Sequence, residues 1–139
     1  MSVAQLEEAR EICPIVSVQN AYNVARRGAE DVLKACEAAG IAFIPHSPNI
    51  LGSAMPFGSV GSIERPPTPA EAEVSAIAAV HGVSSQQVAV AWLLAHSPVM
   101  VPIPGTSKIT HAEDNIDAAW LHLTAEEMAR LDSLADGRS

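Results

Sequence analysis

Polar and ionisable residues gather just past the ends of three apolar runs, and their types suggest two kinds of chemistry. The first run, 14–20, leads into Gln19, Asn20, Tyr22 and Asn23. The second, 41–47, ends on His46 and Ser47, with Asn49 close behind. The third, 99–105, ends on Gly105, followed by Thr106, Ser107 and Lys108. A histidine can act as acid or base near neutral pH, and His46 is the one histidine placed at such an end. Ser47 and Asn49 could orient it or hold a carbonyl, and Tyr22 adds a second proton-bearing group. The third end suggests an anion site. A glycine, small hydroxyls and a lysine lie ahead of a helix start, whose free N–H groups favour phosphate. No histidine pair has metal-ligand spacing with a carboxylate, so no metal site is expected. Neither a Gly-x-Ser-x-Gly elbow nor a Gly-x-Gly-x-x-Gly fingerprint is present.

The elements that must position these residues are legible from their ends. Ser2 with Gln5, Thr68 with Glu71, Ser84 with Gln87, Thr110 with Glu113 and Thr124 with Glu127 all fit the capping box. Gly40 and Gly82 stand where helices end. These marks predict helices near 2–12, 29–39, 69–81, 85–96, 111–119 and 125–135. The three apolar runs between them are rich in β-branched residues and suit parallel strands covered by helices. The order is α-β-α-β-α-α-β-α-α, which is the pattern of βαβ units. In such folds, ligands bind at the C-terminal ends of the strands, where the polar residues lie. The segment 47–68 is rich in Gly, Ser and Pro and reads as a lid. Met55, Phe57, Val60 and Ile63 would form its apolar underside.

Composition narrows the classes further. The 139 residues make one domain, 1–139, and 48% of them are hydrophobic, enough for a sizeable core. A net charge of −8 argues against nucleic acid or an anionic membrane as partner. The first ten residues lack the apolar stretch of a signal peptide. The longest apolar run, 88–95, falls far short of the roughly 20 residues of a membrane span. A cytoplasmic protein follows, with Cys13 and Cys36 as reduced, mostly buried thiols.

Three longer segments carry a family resemblance. "SVAQLEEAREICPIVSVQNAYN", "VLKACEAAGIAFIPHSP" and "VAVAWLLAHSPVMVPIPGTSKITHAEDNIDAAWLHLTAEEMARLDSL" resemble the fifth helix to the closing helices of an aldo-keto reductase, an NADPH-dependent (β/α)8 barrel. The resemblance implies a partial barrel of that type, with about three parallel strands and flanking helices. It also implies roles. Gln19 would hold the nicotinamide carboxamide, and Ser47 would contact the pyrophosphate. Gly105, Thr106, Ser107 and Lys108 would surround the adenosine 2′-phosphate, and Asp114 and Asn115 would hold the adenine. His46 stands where the family has a stacking aromatic ring. The catalytic Asp, Tyr, Lys and His of the family belong to the first half of its barrel. The chain begins after the fifth strand, and neither Tyr22 nor Lys34 replaces them.

Three strands covered on one side leave the other side bare, with Val16, Val18, Phe43 and Val101 expected there. An apolar face of that size calls for a partner, most simply a second copy in a homodimer. Three functional readings remain open. One is a cofactor-independent enzyme that cyclises, isomerises or dehydrates a small organic substrate through His46, Asn49 and Tyr22. Another is the NADP(H)-binding half of an oxidoreductase that needs a partner chain. The last is a non-catalytic remnant.

Overall fold

A computed structural model describes residues 1–46 and 66–134. Ser47, Asn49 and the expected lid therefore lie outside the described residues, apart from its last three, 66–68. The elements run α1 (Val3–Ile12), β1 (Ser17–Ala21), α2 (Glu30–Ala39), β2 (Ala42–His46), α3 (Pro69–His81), α4 (Ser85–His96), α5 (Ile109–Asp117), a 3-10 turn (Ala118–Trp120) and α6 (Ala125–Asp132). Four of the five expected capping boxes form, at Ser2, Thr68, Ser84 and Thr124. Each serine or threonine accepts from the N–H three residues on, and the Glu or Gln there bonds back. Gly40 and Gly82 end α2 and α3 with φ of 65° and 66°, a left-handed conformation that favours glycine. The fifth box does not form. Helix α5 begins at Ile109, so Thr110 already lies inside its first turn, and Lys108 at the cap position supplies no side-chain bond.

The sheet corrects the expected strand count. β1 and β2 pair in parallel, with Val18 opposite Phe43 and Gln19 opposite Ile44. The third run adds only a bridge between Met100 and Phe43. Phe43 N–H donates to Val99 O and Val101 N–H donates to Phe43 O, both at 2.8 Å. The next rung needs an N–H from residue 45 to reach Val101 O. Residue 45 is proline and has none, so the ladder stops.

The two sheet faces also differ from expectation. Val18 and Phe43 turn into the helix layer and are buried. There they pack with Leu6, Leu33, Val74, Ile77 and Val88 in one core. The open face instead carries Ser17, Gln19, Ile44 and His46, by the two-residue alternation of strands. Val101 is exposed at 47% as expected, and Val16 is exposed at 78% although alternation puts it on the side of Val18. Of the two cysteines, Cys36 is buried, but Cys13 is exposed. Among the described residues, no single helix is long and apolar enough to cross a membrane. The consecutive helices α3 and α4 bend by 99° at their junction.

A buried cluster ties the loop after β1 to three helices. Tyr22 stacks on Trp92 and meets Phe43 edge-on. Its hydroxyl lies 2.9 Å from His96 Nε2 and donates to Glu30. Trp92 Nε1–H donates to Asp132 Oδ1 at 3.0 Å. Arg27 reaches the same carboxylate at 3.2 Å and Leu131 O at 3.0 Å, with its guanidinium 4.6 Å from the Trp92 ring centroid. Asn23 makes this reach possible. Its Oδ1 accepts from Ala25 and Arg26 N–H, both at 3.0 Å, and turns the chain.

Two stability outcomes follow from these contacts. Tyr22→Phe leaves Glu30 and His96 without the hydroxyl and should cost about 1–3 kcal/mol in urea unfolding. An unchanged midpoint would remove the hydroxyl from the account. Glu127 accepts from Thr124 N–H and lies 2.8 Å from His81 Nε2. The Thr124 N–H, and then His81, hold its carboxyl below the usual value of 4.5, against the opposing effect of burial. A carboxyl lowered on folding stabilises above its unfolded pKa, and that stability is lost as pH falls through the folded pKa. Thermal melts from pH 6 downward should therefore show the native protein losing its advantage over Glu127→Gln in about the pH 5 to 2 range. Parallel curves would refute the assignment.

Candidate functional site

The uncapped start of α5 borders a pocket of about 220 Å³. Its lining residues are Ser84, Gln86, Gly105, Thr106, His111, Asp114 and Asn115. Two helix starts meet there. Ser84 caps α4, and Lys108 precedes α5. The first intrahelical bond of α5 runs from Ala112 N–H to Lys108 O. The N–H groups of Ile109, Thr110 and His111 therefore have no partner within the helix. Thr106 Oγ1 accepts from Lys108 N–H at 3.1 Å and shapes the approach to that turn. Among the described helices, α1, α3, α4 and α6 close their starts with a cap side chain, and α2 and α5 do not.

Asn115 gives the pocket its most specific feature. Its Nδ2 donates to Pro104 O at 3.4 Å, which sets the orientation of the amide. Its Oδ1 is buried without a hydrogen-bond partner. A buried acceptor left unpaired is costly, and a donor on a ligand would satisfy it. Asp114 beside it also only accepts when ionised. The pair suits an amino-bearing ring or a ribose hydroxyl, while the free N–H groups at the start of α5 suit a phosphate. An adenosine phosphate has all three, so the residues present fit the adenosine end of NADP(H).

The structure gathers some of the sequence-derived candidates and separates others. Gly105, Thr106, Asp114 and Asn115 line one pocket, while Ser107 and Lys108 adjoin it in the chain without lining it. Gln19 is exposed on the open face of β1, two residues before the end of the strand, and His46 ends β2 on the same face. Neither lines that pocket. Tyr22, taken from the sequence as a proton-transfer candidate, is fully buried and turned into the helix layer, away from the face of His46. Burial above all, and then the hydrogen bond to Glu30, push its phenol pKa far up. It anchors the core and cannot pair with His46 in catalysis. Among the described residues, no three His, Cys, Asp or Glu side chains are grouped to hold a metal.

Sequence reasoning missed Ser84, Gln86 and His111 as lining residues. Ser84 had already been read as a helix cap, and the position of Gln86 beside the third run depends on how α4 packs. His111 opens the helix expected at 111–119 and lies in the first turn of α5, which starts at Ile109. Its spacing of three from Asp114 puts both on one side of that helix.

Comparison with known proteins agrees with this geometry. The family model described as "Aldo/keto reductase family" matches residues 1–136. An uncharacterised oxidoreductase of Schizosaccharomyces pombe is 39% identical over the whole chain, which spans 40% of that protein. Pyridoxine 4-dehydrogenase of Escherichia coli is 39% identical over 94% of the chain, and the match spans 41% of the enzyme. A thermostable aldo-keto reductase solved with the inhibitor epalrestat superposes with a TM-score of 0.81 at 31% identity, over 96% of this chain and 46% of that one. A Bombyx mori aldo-keto reductase solved with NADP gives 0.70 at 26% identity, over 96% and 41%. The chain thus spans less than half the length of these relatives. Its fold is part of an aldo-keto reductase TIM barrel, and the chain belongs to the aldo/keto reductase family.

Proposed function

We propose that the chain is the NADP(H)-binding half of an oxidoreductase. The observation that carries this reading is the pocket at the start of α5, lined by Asn115, whose buried Oδ1 has no hydrogen-bond partner. The relatives support it: two are named as an oxidoreductase and a dehydrogenase, and one solved neighbour holds NADP. Bound NADPH would supply the hydride for a carbonyl substrate.

The residues of this chain would bind and orient. Thr106, Ser107 and the N–H groups opening α5 take the 2′-phosphate, and Lys108 adds charge in the same turn. Asp114 and Asn115 take the adenosine. Gly105 borders open space, with nothing within 4 Å of where a Cβ would stand. Gln19 and His46 border the nicotinamide end from the open face. A cofactor-independent cyclisation, isomerisation or dehydration is not supported, because Tyr22 faces away from His46 and the named relatives are redox enzymes. The residues of hydride transfer would come from the rest of the barrel, as the family resemblance implies.

Calorimetry with NADP⁺ tests the reading directly. The chain should bind, and Asn115→Ala should weaken binding by about tenfold, or about 1.4 kcal/mol. The chain alone should not oxidise NADPH with any carbonyl compound. No heat at millimolar NADP⁺ would overturn the proposal, as would equal binding by the variant.

A further inference from the structure

The pocket at the start of α5 has a second wall, formed by α4. The two helices pack against each other, and Gln86 lines the pocket from the α4 side. α4 begins at Ser85, so Gln86 is its second residue and stands beside the capping pair. That pair is already satisfied. Gln87 Oε1 accepts from Ser84 N–H at 3.0 Å and from the Ser84 hydroxyl at 3.1 Å, and Gln87 is buried. Gln86 takes no part in the cap. Among the described residues, its amide has no hydrogen-bond partner, and neither have the side chains of His111 and Asp114 on the α5 side. Asn115 Oδ1, also on that side, is buried and unpaired.

We propose that Gln86 is a specificity-determining residue: its amide and Asn115 Oδ1 together read the edge of a 6-aminopurine and reject a 6-oxopurine. The proposal rests on the NADP(H) reading and adds a contact from a second helix. The α5 side supplies acceptors, Asn115 Oδ1 and the ionised Asp114. The amine of an aminopurine donates to such a group. Beside that amine, the ring presents a nitrogen that only accepts, so its partner must be a donor. Asn115 Nδ2 is directed at Pro104 O, at 3.4 Å. His111 lies in the first turn of α5, with the free N–H groups that suit a phosphate. Gln86 is left to the base, and its amide carries both donors and an acceptor. An amide side chain matched to the amine and adjoining nitrogen of adenine is a pairing set by geometry. In a 6-oxopurine, an oxygen stands where the amine was. It would meet Asn115 Oδ1 as acceptor against acceptor, and both would stay unpaired.

The test is calorimetry on the full 139-residue chain with NADP⁺, with NAD⁺, and with the hypoxanthine analogue of NADP⁺, in which an oxygen replaces the 6-amino group. The unaltered chain should bind NADP⁺ about tenfold more tightly than the analogue. Gln86→Ala should shrink that preference several-fold. Gln86→Glu keeps the length of the side chain and removes its donors, so it should weaken NADP⁺ binding at least as far as Gln86→Ala. The preference of Gln86→Ala for NADP⁺ over NAD⁺ should stay that of the unaltered chain, because the 2′-phosphate is taken at the start of α5. Its thermal midpoint should stay too, since the Gln86 amide bonds to nothing in the fold. Equal binding of NADP⁺ and the analogue by the unaltered chain would overturn the inference and leave the cofactor reading standing. So would a Gln86→Ala variant with an unchanged preference between them. A lowered midpoint with equal losses for all three dinucleotides would also overturn it, making Gln86 a structural residue. No heat with any of them would overturn both the inference and the cofactor reading.

Discussion

The contact on which most of the molecule depends is the meeting of Arg27, Trp92 and Asp132. One carboxylate oxygen accepts from the indole N–H and from the guanidinium, and the guanidinium lies over the indole ring. The three residues come from the loop after β1, from α4 and from the end of α6. Through Tyr22, His96 and Glu30, the same cluster reaches the start of α2. A two-stranded sheet has little cohesion of its own. Here it is held by aromatic packing in which most polar atoms find one another, Arg27 Nε being the buried exception. The cluster also explains why Tyr22 is unsuited to chemistry: the groups that make it a good anchor hold its proton in place.

Much of the fold was readable because helix starts are local. Ser2, Thr68, Ser84 and Thr124 each find a partner three residues away, and no distant contact is needed to form the box. Thr110 misled because capping depends on where a helix begins, and the turn built by Thr106 starts α5 early. The third strand failed for a reason outside its own sequence. Pro45, in a different run, lacks the donor that Val101 needs. The face of Val18 and Phe43 was misassigned for a related reason. Runs that are apolar at nearly every position do not show which side is buried until helices cover one of them.

The site was half legible. Gly105, Thr106, Asp114 and Asn115 follow one another closely, so a local motif brings them together. Ser84 and Gln86 come from another helix, and only packing places them there. Proton-transfer partners were harder still. Tyr22 and His46 both sit at strand ends, but adjacent strand positions point to opposite faces. A difference of one residue in phase separates a core anchor from an exposed side chain.

The two prolines after Val101 have a consequence of their own. Val101 turns its N–H toward β2, so the N–H positions of residues 102 and 104 would face outward, and both are proline. The amide of Met100, the other outward position, is already engaged by Ser97 O. That margin of the sheet offers acceptors and almost no donors. A strand arriving there cannot build the reciprocal ladder on which amyloid-like stacking depends. A partial barrel with an exposed sheet would ordinarily be prone to fibril growth. Among the described residues, a hydrogen-bonding margin with both donors and acceptors remains only at β1, so addition of strands there is polar.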